Sequence, residues 1–579
     1  MNQQLNNRRR YFTKKHLFKQ ALSLTASVTM VFTMADFSVL NHRYSANAAD
    51  IPLTDSDNDG VYEIGTAQDL QTFSSLVSKG SASRINVKLT ADIVINEKEF
   101  SIDSSTKAPL YGGKAIDSTN KPVEWQPIGN SNYRYDGTFD GDGHTVGGIY
   151  IDGSNYNDGL FGYCNGTIKN LGVINSYIKG SEYVGGVCGD GGTIINCYNT
   201  GYVSGTGKRV GGVCGNGGTI NNCYNSGSVS GTSDDVGGVC GYVYTITSCH
   251  NTGAVNGTGS NTGGVCGYVY TERSITDCYN NGFITGKDNV GGVCGYIAND
   301  TTMNNCYNNA SVSGRDVVGG VCGYSYYNCT VSSSYNTATV SGRDDIGGVC
   351  GYEYQKAAIN SCFNTGKIIG TGSYAGGVCG KIYDTSSTAS SCYYLTGTAK
   401  GAINSGDTDT AKAMTDSQFK SGEVAFLLNN SLSVGAISFY QKIGTDNTPV
   451  LNSTNGTVYY GYKDCSSTVK SYSNTALSDT IIPHTYVDGV CTVCGKSEKE
   501  PTVALGDIDN NGTINAADAS MALTEYAAVS TGQTSSLSDD ARTAADVNKD
   551  KIINAGDASL ILTYYAKLSL TGSASFDNL

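Results

Sequence analysis

The strongest pattern in this chain is a short alternation of apolar and small residues that returns at nearly constant spacing. GGVCG begins at Gly185, Gly211, Gly237, Gly263, Gly291, Gly319, Gly347 and Gly376, so successive copies lie 26, 26, 26, 28, 28, 28 and 29 residues apart. Each is followed by a second element, in turn INCYN, NNCYN, TSCHN, TDCYN, NNCYN, SSSYN, NSCFN and SSCYY. A third follows in most repeats: Gly or Ala, one residue, then Val or Ile, as in Gly201-Tyr202-Val203 and Gly282-Phe283-Ile284. Three short β-like pieces per repeat of about 27 residues, with Gly at the corners, predict one coil of a parallel β-solenoid. A helical repeat of that length needs long apolar helix faces, and there are none. One coil cannot bury its own core, so neighbours supply stability and the ends need covers.

The flanks extend this picture. EWQPIG (Glu124 to Gly129), YDGTFDGDGHTVGGIYI (Tyr135 to Ile151) and GLFG (Gly159 to Gly162) are strand-and-turn signals leading into the repeats. The expected fold is mainly β, a right-handed parallel β-helix or solenoid of about nine to ten coils. At the spacing of paired strands the clear coils stack to roughly 40–45 Å. TAQDLQTFSSLV (Thr66 to Val77) puts Leu70, Phe73 and Val77 on one helical face, as a lid over the first coil would. At the far side, TDSQFKSGEVAFLLN (Thr415 to Asn429) opens with a Thr-x-x-Gln capping box and carries Phe419, Val424, Leu427 and Leu428 as a second lid.

The repeat lines residues up in columns. Fifteen of the seventeen cysteines between Cys164 and Cys392 fall in two, one at GGVC and one at the second element; Cys164 and Cys329 are off-register. Position-matched cysteines on adjacent coils lie about 4.8 Å apart with parallel side chains, poor geometry for a relaxed disulfide. They read as small buried apolar groups, the role Phe161 and Leu171 take in the first coil, with cross-column disulfides left open. Asn199, Asn225, Asn251, Asn280, Asn308, Asn336 and Asn364 form a column suited to an amide ladder. Two aromatic columns run beside them: Tyr198, Tyr224, His250, Tyr279, Tyr307, Tyr335, Phe363 and Tyr393, and Tyr242, Tyr268, Tyr296, Tyr324 and Tyr352. Rows of rings stack on sugars or on one another, and both readings stay open. Glu182, Lys208, Asp234, Ser260, Asp288, Asp316, Asp344 and Ser373 recur six residues before the GGVC cysteines. That reads as a solvated charge ladder rather than the single acid–base pair a glycosidase requires.

Composition narrows the function classes. The 579 residues include 75 Gly, 40 Tyr and 20 Cys but 7 Pro and 1 Trp, which with strict periodicity marks a repeat fold. Residues 1–48 carry a basic stretch, an uncharged run from Gln20 to Ala35 and a small-residue site at Ala46-Asn47-Ala48. They read as a secretory signal peptide, the other reading being a retained membrane anchor. Subtracting their seven basic and one acidic residues from 38 and 51 leaves 31 and 50, a net charge of −19. That argues against a nucleic-acid partner and suits an extracellular protein handling divalent cations, with no membrane association after signal cleavage.

Three further sets of residues carry candidate chemistry. Near the end, GDIDNNGTINAADASMALTEYA and ADVNKDKIINAGDASLILTYYA are two copies of one loop-helix unit. Asp507, Asp509, Asn511, Thr513, Asn515 and Asp518 stand at positions 1, 3, 5, 7, 9 and 12. Asp546, Asn548, Asp550, Ile552, Asn554 and Asp557 repeat that spacing thirty-nine residues on. Such a loop wraps oxygen ligands around one Ca²⁺, the seventh position using its carbonyl. Asp55, Asp57 and Asp59 resemble half of such a loop, with Thr66 where an acidic twelfth ligand belongs, so a third Ca²⁺ and a solvated acidic turn are both compatible. Cys465, His484, Cys491 and Cys494 fit a tetrahedral Zn²⁺ site or a Cys491–Cys494 disulfide with an unpaired Cys465.

Two resemblances follow. Residues from about 61 to 395 resemble the GLUG-motif family of secreted glycine-rich repeat proteins, named for segments such as Gly159-Leu160-Phe161-Gly162. Related repeats accompany immunoglobulin A-cleaving metallopeptidases with an HExxH zinc site. None of His16, His42, His144, His250 or His484 lies in such a motif, so that activity does not carry over and no catalytic residue is assigned. The terminal module resembles a type I dockerin over about seventy residues, in both loops, both following helices (Asp518 to Ala528, Asp557 to Lys567) and the duplication. The resemblance implies an all-α module with two Ca²⁺ ions that docks on a cohesin of a scaffoldin through Ala516, Ala517 and Thr524, then Ala555, Gly556 and Thr563. It departs at Lys551, which stands where the first loop has Gly512.

The expected organisation is therefore a signal peptide (1–48), an N-terminal cap (49–158) and the repeat solenoid (159–395). A C-terminal cap (396–450), a Cys/His module with linker (451–500) and the dockerin (501–579) follow. The implied protein is a secreted component of a cellulosome-like complex, free or cell-surface attached, whose solenoid is read as non-catalytic and as binding plant polysaccharide or a surface. The alternatives are a β-helix polysaccharide hydrolase or lyase and a structural spacer or adhesin.

Overall fold

The computed structural model describes residues 51–579 apart from 405, 409–410, 434, 489, 497–503 and 577–578, so the signal-peptide reading lies outside the described residues. The repeat region is a parallel solenoid with four strand ladders. A sixteen-strand sheet runs from Val61–Ile64 to Cys379–Ile382, and a twelve-strand sheet from Ile93–Val94 to Ala411–Met414. A nine-strand sheet and an eight-strand sheet complete the coil. The twelve strands of the second sheet put the coil count at about twelve, rather than nine to ten. The additional coils lack GGVCG but keep the alternation that buries a core. Val87, Leu89, Ile93, Phe139, Val146 and Ile151 all point inward with at most 2% exposure. Apolar volume at alternate positions closes a coil, and the motif is one way among several to supply it.

Register is one repeat per coil, Cys188 opposite Cys214 and Cys214 opposite Cys240. Phe161 stands opposite Cys188, at the start of the same column. All twenty cysteines are free thiols, and those of the two columns are fully buried. The asparagine column is a continuous amide ladder. Each Nδ2 donates to the next Oδ1 at 2.7–2.9 Å from Asn199 to Asn364, and every member is fully buried. That ladder explains the second glycine of GGVCG: a Cβ on Gly238 would lie 2.0 Å from the Gly264 carbonyl and 2.4 Å from Asn251 Cγ. The change in period from 26 to 28 also has a local cause. In the longer coils two adjacent residues adopt left-handed backbone, such as Asn299 and Asp300 (φ 52° and 62°), adding a corner between Cys294–Ala298 and Thr302–Asn304.

The first lid is helix α1 (Ala67–Ser78), capped by Thr66 and Asp69, with Leu70, Phe73 and Val77 buried on the first coils. Phe73 meets Tyr135 edge-on at 5.4 Å. The second lid departs from expectation. Helices α2 (Asp416–Lys420) and α3 (Glu423–Asn430) bury Phe419, Val424 and Leu428 against Tyr335, Phe363 and Tyr393, on the flank of the last coils. The solenoid core itself ends on Ala402 and Ala411. The aromatic column is the more apolar surface at that end, and the helices follow it. Among the described residues no helix is long and apolar enough to cross a membrane.

Candidate functional site: paired carboxylate loops and an aromatic flank

The terminal module contains helices α4 (Ala516–Ser530), α5 (Asp539–Ala545) and α6 (Ala555–Thr571) around a small core of Ile508, Ala519, Ala522, Ala544, Ala558 and Ile561. The two duplicated helices are longer than the sequence pattern indicates, and α5 was not foreseen, because its Ala-rich segment has little amphipathic period. Asn515 and Asn554 are the N-caps of α4 and α6. Asp518 and Asp557 close each capping box by accepting the cap's backbone N–H at 2.9 and 3.0 Å.

Each loop folds its backbone onto its own carboxylates. Asp507 accepts the N–H groups of Asn511 and Gly512 at 3.1 and 2.8 Å, and Asp518 accepts those of Ile508 and Asp509 at 2.7 and 3.3 Å. In the second loop Asp546 accepts from Asp550 and Lys551 at 3.1 and 2.9 Å, and Asp557 from Asn548 at 3.3 Å. Carboxylate oxygens of Asp507, Asp509 and Asp518 come within 4.8 Å of one another. Asp507, Asp518 and Asp557 are buried, and none has a cationic partner among the described residues. Buried carboxylates crowded in this way need a positive charge among them. An all-oxygen donor set of Asp, Asn and loop carbonyls fits Ca²⁺. Lys551 adopts φ 69° where Gly512 has φ 84°, so the second loop holds a lysine in left-handed backbone.

The helix surfaces repeat as well. Ala516, Ala517 and Thr524 on α4 and Ala555, Gly556 and Thr563 on α6 are all exposed. Beside them lie four apolar residues the sequence reading did not include, Leu523 and Tyr526 on α4 and Leu562 and Tyr565 on α6, each 42–43% exposed. The thirty-nine-residue duplication relates Leu523 to Leu562 and Tyr526 to Tyr565, which is the signal that would have found them.

At the other end, Asp55, Asp57 and Asp59 also bring carboxylate oxygens within 4.8 Å. They serve the turn into the first strand: Asp55 accepts from Gly60 N–H at 3.2 Å and Asp59 from Val61 N–H at 2.7 Å. Thr66 is engaged as the α1 cap. Cys465, His484, Cys491 and Cys494 likewise converge.

The two aromatic columns differ. From Tyr198 to Phe363 the rings are stacked at 4.6–5.0 Å and within 9° of parallel. Their faces are spent on one another. The second column belongs to a double row. Tyr242, Tyr268, Tyr296, Tyr324 and Tyr352 are half-buried, and beside them stand Tyr244, Tyr270, Tyr326, Tyr354 and Tyr383. Ring angles there range from 6° to 75°, and Tyr244, Tyr270 and Tyr383 are 43–58% exposed. Arg209 lies 4.2 Å over Tyr242 and Arg273 4.6 Å over Tyr244. The acidic column is a ladder of ion pairs: Arg315 bridges Asp288 and Asp316 at 2.6 and 3.0 Å, and Arg343 bridges Asp316 and Asp344 at 2.6 and 2.9 Å.

Among the concave sites off the repeats is a cavity of about 730 Å³ between α1 and the first coils, lined by Ser75, Glu124, Gln126, Asn130, Tyr156 and Asp158 among others. Asp158 is 2% exposed and its Oδ2 lacks a hydrogen-bond partner. Burial, with the charge of Glu124 adding to it, pushes its carboxyl up to about 6.

Two loop-helix units with carboxylates at positions 1 and 12 and a shared apolar seam define a duplicated cation-loop docking module. Residues 505–564 match the family described as the dockerin type I domain. The chain therefore carries a type I dockerin after a parallel β-solenoid; such domains bind Ca²⁺, and a dockerin implies a cohesin partner in a cellulosome-type assembly. Halomucin of Haloquadratum walsbyi is 29% identical over 195 residues, which is 32% of this chain and 2% of that protein, so the chain spans a small part of its length. A solved structure of a putative immunoglobulin A1 protease from Bacteroides ovatus is 18% identical, covering 69% of this chain and 94% of that one at a TM-score of 0.27.

Proposed function

We propose that this protein is a secreted component of a cellulosome-type complex, exported by residues 1–48 and plugged onto a scaffoldin cohesin by residues 501–579. The solenoid, whose strand ladders run from Val61–Ile64 to Ala411–Met414, presents a tyrosine-lined flank to plant polysaccharide. The double tyrosine row carries the binding half of this reading. Tyr244, Tyr270 and Tyr383 of this row are exposed, whereas the rings of the other column are stacked face to face, and exposed aromatic rings flanked by hydroxyl and guanidinium donors suit sugar rings.

In the dockerin, Asp507, Asp509, Asn511, Asn515 and Asp518 with the Thr513 carbonyl hold one Ca²⁺. Asp546, Asn548, Asp550, Asn554 and Asp557 with the Ile552 carbonyl hold a second. The bound ions neutralise the carboxylates and fix the loop ends. This chain then supplies two equivalent contact faces: Ala516, Ala517, Leu523, Thr524 and Tyr526 on α4, and Ala555, Gly556, Leu562, Thr563 and Tyr565 on α6. The thirty-nine-residue equivalence supports two binding orientations related by a half-turn. A variant in one loop then keeps cohesin affinity while the double variant loses it. Retention on insoluble polysaccharide should fall at least about tenfold, roughly 1.4 kcal/mol, in a folded variant with Tyr244, Tyr270, Tyr326 and Tyr354 replaced by Ala. Undiminished retention would remove the glycan-binding half.

A second reading, a β-helix hydrolase, is favoured by one observation. In the 730 Å³ cavity the buried Asp158, its carboxyl pushed up to about 6, lies beside the exposed Glu124, and a carboxyl raised by burial near a second carboxyl is the pairing that glycoside cleavage uses. Screening glycans for new reducing ends with the unsubstituted chain and Asp158→Asn decides it, since release that survives the substitution is not produced there.

A further inference from the structure

We propose that Cys465, His484, Cys491 and Cys494 form a closed structural Zn²⁺ site that holds together the segment between the solenoid and the dockerin. One candidate ligand atom from each of the four residues lies within 4.8 Å of the others. Cys465 Sγ and Cys491 Sγ are 3.4 Å apart, and Cys494 Sγ lies 3.2 Å from His484 Nδ1. Zn–S bonds of about 2.3 Å and Zn–N bonds of about 2.0 Å at tetrahedral angles give ligand–ligand edges of roughly 3.5–3.8 Å. Both distances lie near those edges. A disulfide brings its sulfurs to about 2.05 Å, and all three cysteines are free thiols.

The local backbone is built to present this set. Tyr486–Val487 pairs antiparallel with Val490–Cys491, and the chain then turns, with Gly495 N–H donating to the Cys491 carbonyl at 2.9 Å. Gly495 takes left-handed backbone at φ 72°, which turns the chain back after Cys494 so that the Lys496 carbonyl accepts from Cys491 N–H at 2.8 Å. Cys465 comes from a separate turn pinned by Asp464, which accepts from Ser466 N–H at 2.9 Å.

A second observation points the same way. No residue from 463 to 496 belongs to any of the three hydrophobic cores among the described residues. Val469, Ile481, Val487 and Val493 are 57–75% exposed, while Cys465 and Cys491 are 7% and 2% exposed. A segment that exposes its valines, buries two of its thiols and half-buries the third is organised around the thiols. In small modules of that kind, metal binding supplies the folding free energy that a core supplies elsewhere. Four protein ligands leave no open position, so the ion is structural rather than catalytic.

The full chain, purified under reducing conditions and dialysed against trace zinc, is expected to retain one zinc per chain by elemental analysis. Cys491→Ser and His484→Ala are each expected to lose at least about four-fifths of it, while Asp507→Ala keeps it. Because a variant can lose the metal by misfolding, Co²⁺ added to the unsubstituted zinc-free chain is the second measurement. It should give the intense visible bands and thiolate charge transfer of tetrahedral sulfur coordination. An octahedral Co²⁺ spectrum, zinc well below one per chain, or a Cys491–Cys494 disulfide in protein isolated without reductant overturns the proposal.

Discussion

The solenoid and the dockerin are both made by duplication, yet they use it in opposite ways. In the solenoid each coil repeats so that like stacks on like. Asn280 bonds Asn308, Tyr279 stacks on Tyr307, and Val290 lies opposite Val318. Identity between copies is itself the source of stability, because a ladder satisfies each group with its own equivalent. In the dockerin the two copies share a core of small residues, Ala519 and Ala522 with Ala558 and Ile561, and each loop gathers negative charge that its neighbour does nothing to relieve. There the duplication yields two equivalent faces and little cohesion. The fully packed residues of that core are mostly alanines with Ile508, Val547 and Ile561, and the larger side chains around them, such as Leu505, Ile514 and Phe576, are only partly buried, so the apolar surface buried there is small. The first region is held by its repeats; the second gathers carboxylates suited to a cation.

The largest effect that would break this contrast is loss of both first-position aspartates. Asp507→Ala with Asp546→Ala is expected to weaken cohesin binding at least about 100-fold, roughly 2.7 kcal/mol, by titration calorimetry in Ca²⁺. Chelator should do the same to the unsubstituted chain, while the β-sheet circular dichroism of the solenoid stays unchanged in both. Next comes the amide ladder. Asn280→Leu leaves Asn251 Nδ2 and Asn308 Oδ1 each without a ladder partner in a fully buried position. An expected loss of about 3 kcal/mol in solenoid stability follows, with cohesin binding untouched; a loss below about 0.5 kcal/mol would show that the ladder is decorative.

Glu353 sharpens the comparison from the other side, as a carboxylate the solenoid buries inside its coil. It follows Val243, Val269, Ile297 and Ser325 in an inward column, is fully buried, and neither of its oxygens has a hydrogen-bond partner. Burial, with the Cys350 thiol beside it, pushes its carboxyl well above the usual carboxylate range. Its folded-state value thus exceeds the unfolded one. The stability it permits is whole below about pH 4.3 and declines as pH rises towards the folded value, because only the unfolded chain ionises in that window. Glu353→Leu should raise stability at pH 7 by about 2 kcal/mol and flatten that slope, as measured by denaturant unfolding of both proteins from pH 4 to pH 8. The smallest effect belongs to the second Ca²⁺ loop. Lys551→Gly relieves a left-handed lysine at φ 69° and should tighten Ca²⁺ there by about 1 kcal/mol, roughly fivefold. Equal affinities would locate the difference between the loops elsewhere.

Much of this was legible in the residues, for a physical reason. A ladder of identical groups writes itself into the chain as a period, so the solenoid and the Asn column could be read directly, and α1 from the apolar face of Leu70, Phe73 and Val77. The dockerin ligand spacing is equally local, since twelve consecutive residues close one loop. The outer coils were missed because Val87, Phe139 and Ile151 fill the core without the GGVCG signature. Both aromatic columns look alike as text, and the chain alone could not tell which rings spend their faces on neighbours.

What the sequence by itself determined, then, is everything carried by regular spacing: the coil, its columns, and two loops that aim oxygen at a common point. Only the tertiary structure decided what depends on which surfaces meet. It set α2 and α3 on the flank over Phe363, left Tyr244, Tyr270 and Tyr383 exposed, and raised Asp158 by burying it near Glu124. It also brought Cys465 from a distant turn to within 3.4 Å of Cys491. Each of these turns on solvent exclusion at a contact between segments remote in the chain, and no local period encodes that.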